Sequence, residues 1–344
     1  MTSITNIPLN DYSCKQKSET ILNITTNIVG FLLILAIILL IVNPNRYIAS
    51  ILNGTSLFYN SVMPSLLPFF FISKIIFGLG SLDKIIYLFR DPISKGFRMP
   101  SITSYVLIMS IICGYPVGAK LIGELEKSNI VSKDDAKKMI IICSTSGPIF
   151  VIGSVGGALF NSVSLGVLIF ICHIIGTLIA GFILTRRLPK IDNKKIEYKT
   201  TQHENLLSSS VNSTTMSILT VAIYVSIFYM FIDMAYDMKV LGFISSLLEK
   251  LFTSFNIDTI FARGIASGFV EMTRGLAEIA TSTNMKFKLI VSTCLISFGG
   301  LSIFIQSLTF LNETKIKALY LFKIKCFQTL ISGLLATAFA FIFY

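Results

Sequence analysis

Hydrophobic residues in this chain come in long blocks rather than in alternation, and the blocks predict the elements. Runs able to cross a bilayer lie near 27–43, 62–79, 139–160, 163–186, 213–234, 288–311 and 317–343, among them "IVGFLLILAIILLIV" from Ile28. Two further runs, about 101–128 and 259–281, are apolar but interrupted by Gly, Pro and charge near the middle. Broken backbone at membrane depth survives only where protein or a water-filled cavity satisfies it, so both runs are predicted to be re-entrant hairpins. The predicted fold class is all-α integral membrane, with about seven transmembrane helices plus two re-entrant hairpins.

Composition agrees: hydrophobic residues make up 53% of the chain and charged ones only 14%. More than twenty polar residues precede the first run and no small-residue cleavage site follows it, which favours a retained helix over a signal peptide. The formal net charge of +11 sits in loops between apolar runs, not on one soluble domain. That excludes a nucleic-acid partner and points to the positive-inside rule. With a cytoplasmic N-terminus, the loops 80–100, 127–138, 186–199 and 312–325 face inward, and they hold most of the lysines and arginines, down to Lys315, Lys317, Lys323 and Lys325. Arg46, Lys239, Lys250, Lys286 and Lys288 fall outside, and the C-terminus faces out. Counting either interrupted run as a full crossing would spoil this asymmetry.

The polar, basic stretch 187–210 is the one linker, which divides the chain into a tail and first helix (1–50), a first repeat (51–186), the cytoplasmic linker (187–210) and a second repeat (211–344). An ungapped offset of 154 residues carries Gly114 and Tyr115 onto Gly268 and Phe269, Lys120 onto Arg274, Glu124 onto Glu278, and Ile149–Val151 onto Ile303–Ile305. Each half contains an odd number of crossings, so the repeats are expected to have inverted topology. That is the architecture of secondary transporters, whose interrupted helices meet near the midplane around the substrate.

The candidate site follows from the interruptions. Gly114 permits an unusual backbone angle, and Pro116, one residue past Tyr115, lacks an amide donor and suits a helix start. Lys120 and Arg274 would stand about one turn into the second half of each hairpin, as anion-binding bases or as partners of Glu124 and Glu278. Glu271 has no equivalent acid in the first half, where Val117 stands; beside Thr273 it is a candidate to bind a coupling proton or cation, or a buried partner for Arg274. In the second interrupted pair, Ser144, Thr145 and Ser146 adjoin Gly147, and Gly299 and Gly300 open the backbone near Ser302 and Gln306. These hydroxyls and free backbone groups suit a ligand, or alternatively close helix packing.

The six cysteines include no CxxC or Cys/His pair, and His173 and His203 have no partner at metal-ligand spacing. No phosphate loop, HExxH or nucleophile elbow occurs, so no enzyme activity, cofactor or metal is expected.

"MPSLLPFFFISKI", "CGYPVGAK", "STSGPIF", "EMTRGLAEI" and "SFGGLSIFIQ", in this order, resemble the sporulation integral membrane proteins of the YlbJ type, also called SpoVV, within the nucleoside-recognition or Gate-domain superfamily. The resemblance runs from about Ile51 onward, and "SFGGLSIFIQ" is more distantly similar to the interrupted helix of concentrative nucleoside transporters. It implies a multi-pass protein of the outer forespore membrane that carries dipicolinate out of the mother cell, and the transporter likeness implies a homo-oligomer. Dipicolinate is a planar aromatic dianion, so Lys120 and Arg274 beside Tyr115 and Phe269 are expected to meet its carboxylates and ring. A nucleoside-type permease and a non-transporting scaffold for spore assembly remain the alternatives.

Overall fold

The structure is a computed structural model and describes residues 27, 29–79, 83–188, 205–314 and 316–344. The N-terminal tail and most of the linker predicted at 187–210 lie outside these. The described residues are helical with no strand, and the all-α membrane class is borne out. Contacts divide the chain into Met1–Ser50 and Ile51–Tyr344. The first unit holds α1 (Val29–Val42). Helix α2 (Pro44–Leu57) runs on into the second unit and is followed there by a short π-helical stretch, Phe58–Val62.

The second unit runs in two passes of similar, not identical, element order. The first pass is α3 (Met63–Gly78), α4 (Asp83–Phe97), a hairpin of α5 (Thr103–Cys113) and α6 (Val117–Lys127), the short α7 (Lys133–Met139), an unwound stretch at 140–147, a π-helix at Ile149–Leu159, and α8 (Val163–Arg186). The second pass is α9 (Leu206–Asp237), α10 (Val240–Ser254), a hairpin of α11 (Ile260–Val270) and α12 (Met272–Ile279), the broken helix α13 (Met285–Phe298) and α14 (Gly300–Phe310), and α15 (Ala318–Phe343).

Among the described residues, α8, α9, the α13–α14 pair and α15 are long and apolar enough to cross a membrane; α1 with Pro44–Val62 makes a fifth if that bent pair counts as one. Two of the seven predicted runs are shorter than they read. The run at 62–79 yields a 16-residue helix. That at 139–160 is helical only from residue 148 on, because Ser144-Thr145-Ser146-Gly147-Pro148 supplies hydroxyls, a flexible backbone and a missing amide at one place. Conversely, α4 and α10 fall where loops were predicted. Both are amphipathic, with apolar residues at helical spacing separated by charge, the pattern of helices lying at a membrane interface.

Side-chain caps set several helix starts. Ser132 makes a capping box with Asp135 at α7, Ser162 accepts from the Leu165 amide at α8, and Asn284 from the Phe287 amide at α13. At the centre, α8, α13 and α15 pack on one another, and α13 is buried along most of its length. Its neighbours expose apolar residues such as Val163, Phe182, Leu330 and Leu334, as helices in a membrane fold can.

Candidate functional site

The breaks converge. Gly114 leaves α5 at φ +75, and a side chain there would stand 2.6 Å from the Gly147 backbone nitrogen, so two glycines let the hairpin tip touch the unwound stretch. Ser110, one turn earlier, stitches the same contact. Its hydroxyl donates to the Cys143 carbonyl at 2.9 Å, accepts from the Thr145 amide at 3.3 Å, and lies 3.0 Å from Thr145 Oγ1. In the second half, Gly299 and Gly300 both have positive φ, at +88 and +73, and Gly300 packs against the backbone of Gly268, Val270 and Met272 at the other hairpin tip.

Between these breaks is a cavity of about 60 Å³, room for a few waters or part of a small ligand. Gly114, Tyr115, Ser146, Gly147, Glu271, Thr273, Ser302 and Gln306 supply its polar or open lining, and Leu66, Phe70, Val221 and Val225 close one wall. Of the residues singled out in the sequence, these eight therefore meet at one place. The Glu271 carboxylate caps α12, accepting from the Arg274 amide at 2.8 Å. This favours the negative charge at a helix N-terminus while leaving the group on the cavity wall.

Ser144, Thr145, Pro116 and Gly299 support the breaks rather than line that cavity. The two bases are not brought together. Lys120 lines a second cavity of about 490 Å³ with Pro116, Asn212, Ser213, Ser217, Thr220 and Phe310, and its ammonium lies 3.9 Å from Glu124 with both side chains well exposed. Arg274 is 9% exposed and held at 2.6 Å from Asp233 and 3.1 Å from Glu278. It also donates to the Tyr229 carbonyl and lies over that tyrosine's ring. Phe269 stacks on Phe298 and faces a different, apolar groove. The expected symmetric clamp of two bases around an aromatic dianion is thus not formed in this conformation. The offset that made the bases equivalent says nothing about which half is open and which is packed shut.

Sequence reasoning missed a polar cluster behind the cavity. His173 of α8 is wholly buried; its Nε2 accepts from the Ser146 amide at 3.0 Å, so Nδ1 carries the proton and donates to Ser297 Oγ at 2.9 Å. The imidazole is thus neutral and ties the unwound stretch of one half to the broken helix of the other. Lys325, read as a loop lysine, instead lies inside α15 at 1% exposure. It donates to the Ser144 carbonyl at 2.8 Å and Tyr115 Oη at 3.0 Å, and lies 3.5 Å from the Ser297 carbonyl. Tyr115 in turn donates to the Ile296 carbonyl at 3.2 Å. Lys325 stands about two turns into α15, but Lys315, Lys317 and Lys323 precede it closely and give this part of the sequence the character of a basic loop. Among the described residues no group of His, Cys, Asp and Glu could hold a metal ion.

The chain is similar to the sporulation integral membrane protein YlbJ of Bacillus subtilis strain 168, with 26% identity over 313 residues, covering 85% of this chain and 76% of that protein. No protein-family model and no solved structure matches.

Proposed function

We propose that this multi-pass membrane protein of the YlbJ type is a transporter of a small anionic metabolite, with dipicolinate the first candidate, moved from the mother cell across the outer forespore membrane during sporulation. The observation that carries the reading is the cavity where the breaks of both halves converge, a site built from unwound backbone and hydroxyls at the centre of an all-α membrane fold. The relative's name supplies the sporulation context. The resemblance noted in the sequence supplies the substrate.

In this reading the two halves have opposite topology, with the N-terminus cytoplasmic and the C-terminus outside. Lys120 stands in the larger cavity, at the C-terminal end of α14 and near the start of α9, and draws anions toward the centre. Phe70 and Val221 line both cavities, so they are the partition a substrate must pass. An anion beside Glu271 is repelled unless that carboxyl holds a proton. Protonation of Glu271 therefore couples entry of the anion to a proton, and the protein acts without enzymatic chemistry.

One observation favours a second reading. Among the described residues no base lines the central cavity, whereas Ser146, Thr273, Ser302 and Gln306 offer neutral hydrogen-bonding groups around Tyr115. That lining also suits an uncharged nucleoside. Uptake of dipicolinate and of uridine into proteoliposomes containing the purified protein separates the two. Saturable dipicolinate uptake that is weakened in Lys120→Ala, and that persists in Glu271→Gln but no longer responds to a pH gradient, supports the anion reading. Uridine uptake alone supports the second, and uptake of neither by folded, inserted protein sinks both in favour of a scaffold.

A further inference from the structure

Lys325 takes no part in the reading above, since Tyr115 stands between it and the cavity. Its Nζ faces three oxygens, and Tyr115 Oη donates its own proton to the Ile296 carbonyl, so all three act as acceptors and match the three N–H bonds of an ammonium, whose charge at this depth they must compensate. Among the described residues its hydrogen-bond partners are oxygens and none is a carboxylate: the Ser144 carbonyl at 2.8 Å, Tyr115 Oη at 3.0 Å and the Ser297 carbonyl at 3.5 Å, with the Tyr115 ring centroid 4.3 Å away. Each oxygen is free for a reason. The Ser144 carbonyl belongs to unwound backbone, and the Ser297 carbonyl belongs to the last turn of α13, which Gly299 ends before another helical amide can reach it. The C-terminal end of a helix also attracts positive charge.

The ionisable groups around the ammonium add no anion. His173 of α8 is neutral by its hydrogen bonds, Tyr115 of the hairpin tip donates its own proton to the Ile296 carbonyl, and Cys143 and Cys294 are thiols next to Ser144 and three residues before Ser297. On α15 itself the near neighbours are Lys323 and Cys326. Carbonyls of unwound segments and of half-helix C-termini are the groups that coordinate a monovalent metal ion where membrane helices are broken. We propose that Lys325 is a tethered cation: its ammonium permanently occupies a monovalent-cation site formed by the two broken segments, so the protein holds them together without Na⁺ or K⁺. Resting on the transporter reading, the same assignment makes uptake independent of both ions.

The test is thermal unfolding of the purified protein in NaCl, KCl, choline chloride and methylammonium chloride at equal ionic strength. Wild type is expected to unfold at one temperature in all four, since its site is already filled. Lys325→Ala is expected to lose about 5 °C in choline and to regain much of it in methylammonium, Na⁺ or K⁺, which enter the vacated oxygens. Lys325→Met, whose apolar chain fills the space without charge, is expected to show no such recovery. A wild-type melting temperature that rises with Na⁺ or K⁺ over choline overturns the proposal, as does a Lys325→Ala protein indifferent to every cation. Where Lys325→Ala fails to accumulate, Lys325→Ser, whose short polar side chain also vacates the oxygens, is melted in the same four salts and held to the same outcomes. Absence of both dipicolinate and uridine uptake in every salt would sink the transporter reading and leave the thermal result standing.

Discussion

At the scale of single residues, the centre of this protein depends on a few positions whose chemistry cannot be exchanged. His173 accepts a backbone amide on one ring nitrogen and donates on the other. Replacing it with Phe leaves the buried Ser146 amide and Ser297 hydroxyl without those partners, at a cost of about 1–3 kcal/mol. The melting temperature should fall by several degrees, and His173→Gln should recover part of the loss. An unchanged melting temperature in His173→Phe would show that the bridge carries no stability. Gly114→Ala faces two penalties at once, a positive φ and a collision with Gly147. Backbone strain alone costs about 1–3 kcal/mol, and the hairpin tip must also shift. Uptake per folded molecule should therefore fall, measured as initial rate normalised to inserted protein, whereas a full rate would mean the tip tolerates displacement. The break itself was legible in Gly114-Tyr115-Pro116. Which groups it would serve was not, because His173 lies 27 residues beyond Ser146 and Lys325 lies 210 beyond Tyr115.

At the scale of elements, the pairs Lys120–Glu124 and Arg274–Glu278 show how one sequence pattern takes two structural roles. The offset makes them equivalents, but the first is exposed while the second is enclosed with Asp233. Exposed pairs contribute less than about 1 kcal/mol. Removing one partner from a buried network costs about 3–5 kcal/mol, because the charges left behind stay desolvated. Thermal unfolding should accordingly barely respond to Lys120→Ala and should drop sharply in Arg274→Ala. Equal responses would contradict the burial difference. Helices α4 and α10 carry a related lesson. Amphipathic periodicity was present in both segments, but in a chain dominated by continuous apolar blocks their charged residues read as loops. The unwound stretch at 140–147 went the other way: its hydroxyls, Gly and Pro mark a break, yet it removes the helix from an apolar run whose length suggests a crossing.

At the scale of the whole molecule, the proposed inversion of the two halves assigns the linker to the cytoplasmic side and the C-terminus to the outside. A single cysteine introduced at Lys199 in an otherwise cysteine-free protein should react with an impermeant maleimide only from the cytoplasmic side, and one at Tyr344 only from outside. Labelling of both from one side would refute the inversion. The two passes share a hairpin followed by an interrupted segment and a long helix, but they differ in between, where α7 and an unwound stretch stand opposite the continuous α13. Apolar positions facing lipid or a neighbouring helix accept many residues, so a repeat in such a chain would leave few identities.

The sequence by itself determined the membrane class, the positions of the breaks, and most of the polar residues around the cavity. Uninterrupted apolar runs have one stable solution in a bilayer, and Gly, Pro and hydroxyls inside them are local exceptions that can be read one segment at a time. Only the tertiary structure decided which of the repeated bases was locked away, that a neutral histidine joins the two halves, and that Lys325 belongs to the interior. Those outcomes depend on hydrogen bonds between segments far apart in the chain, and on which oxygens a broken helix leaves free for a neighbour to use.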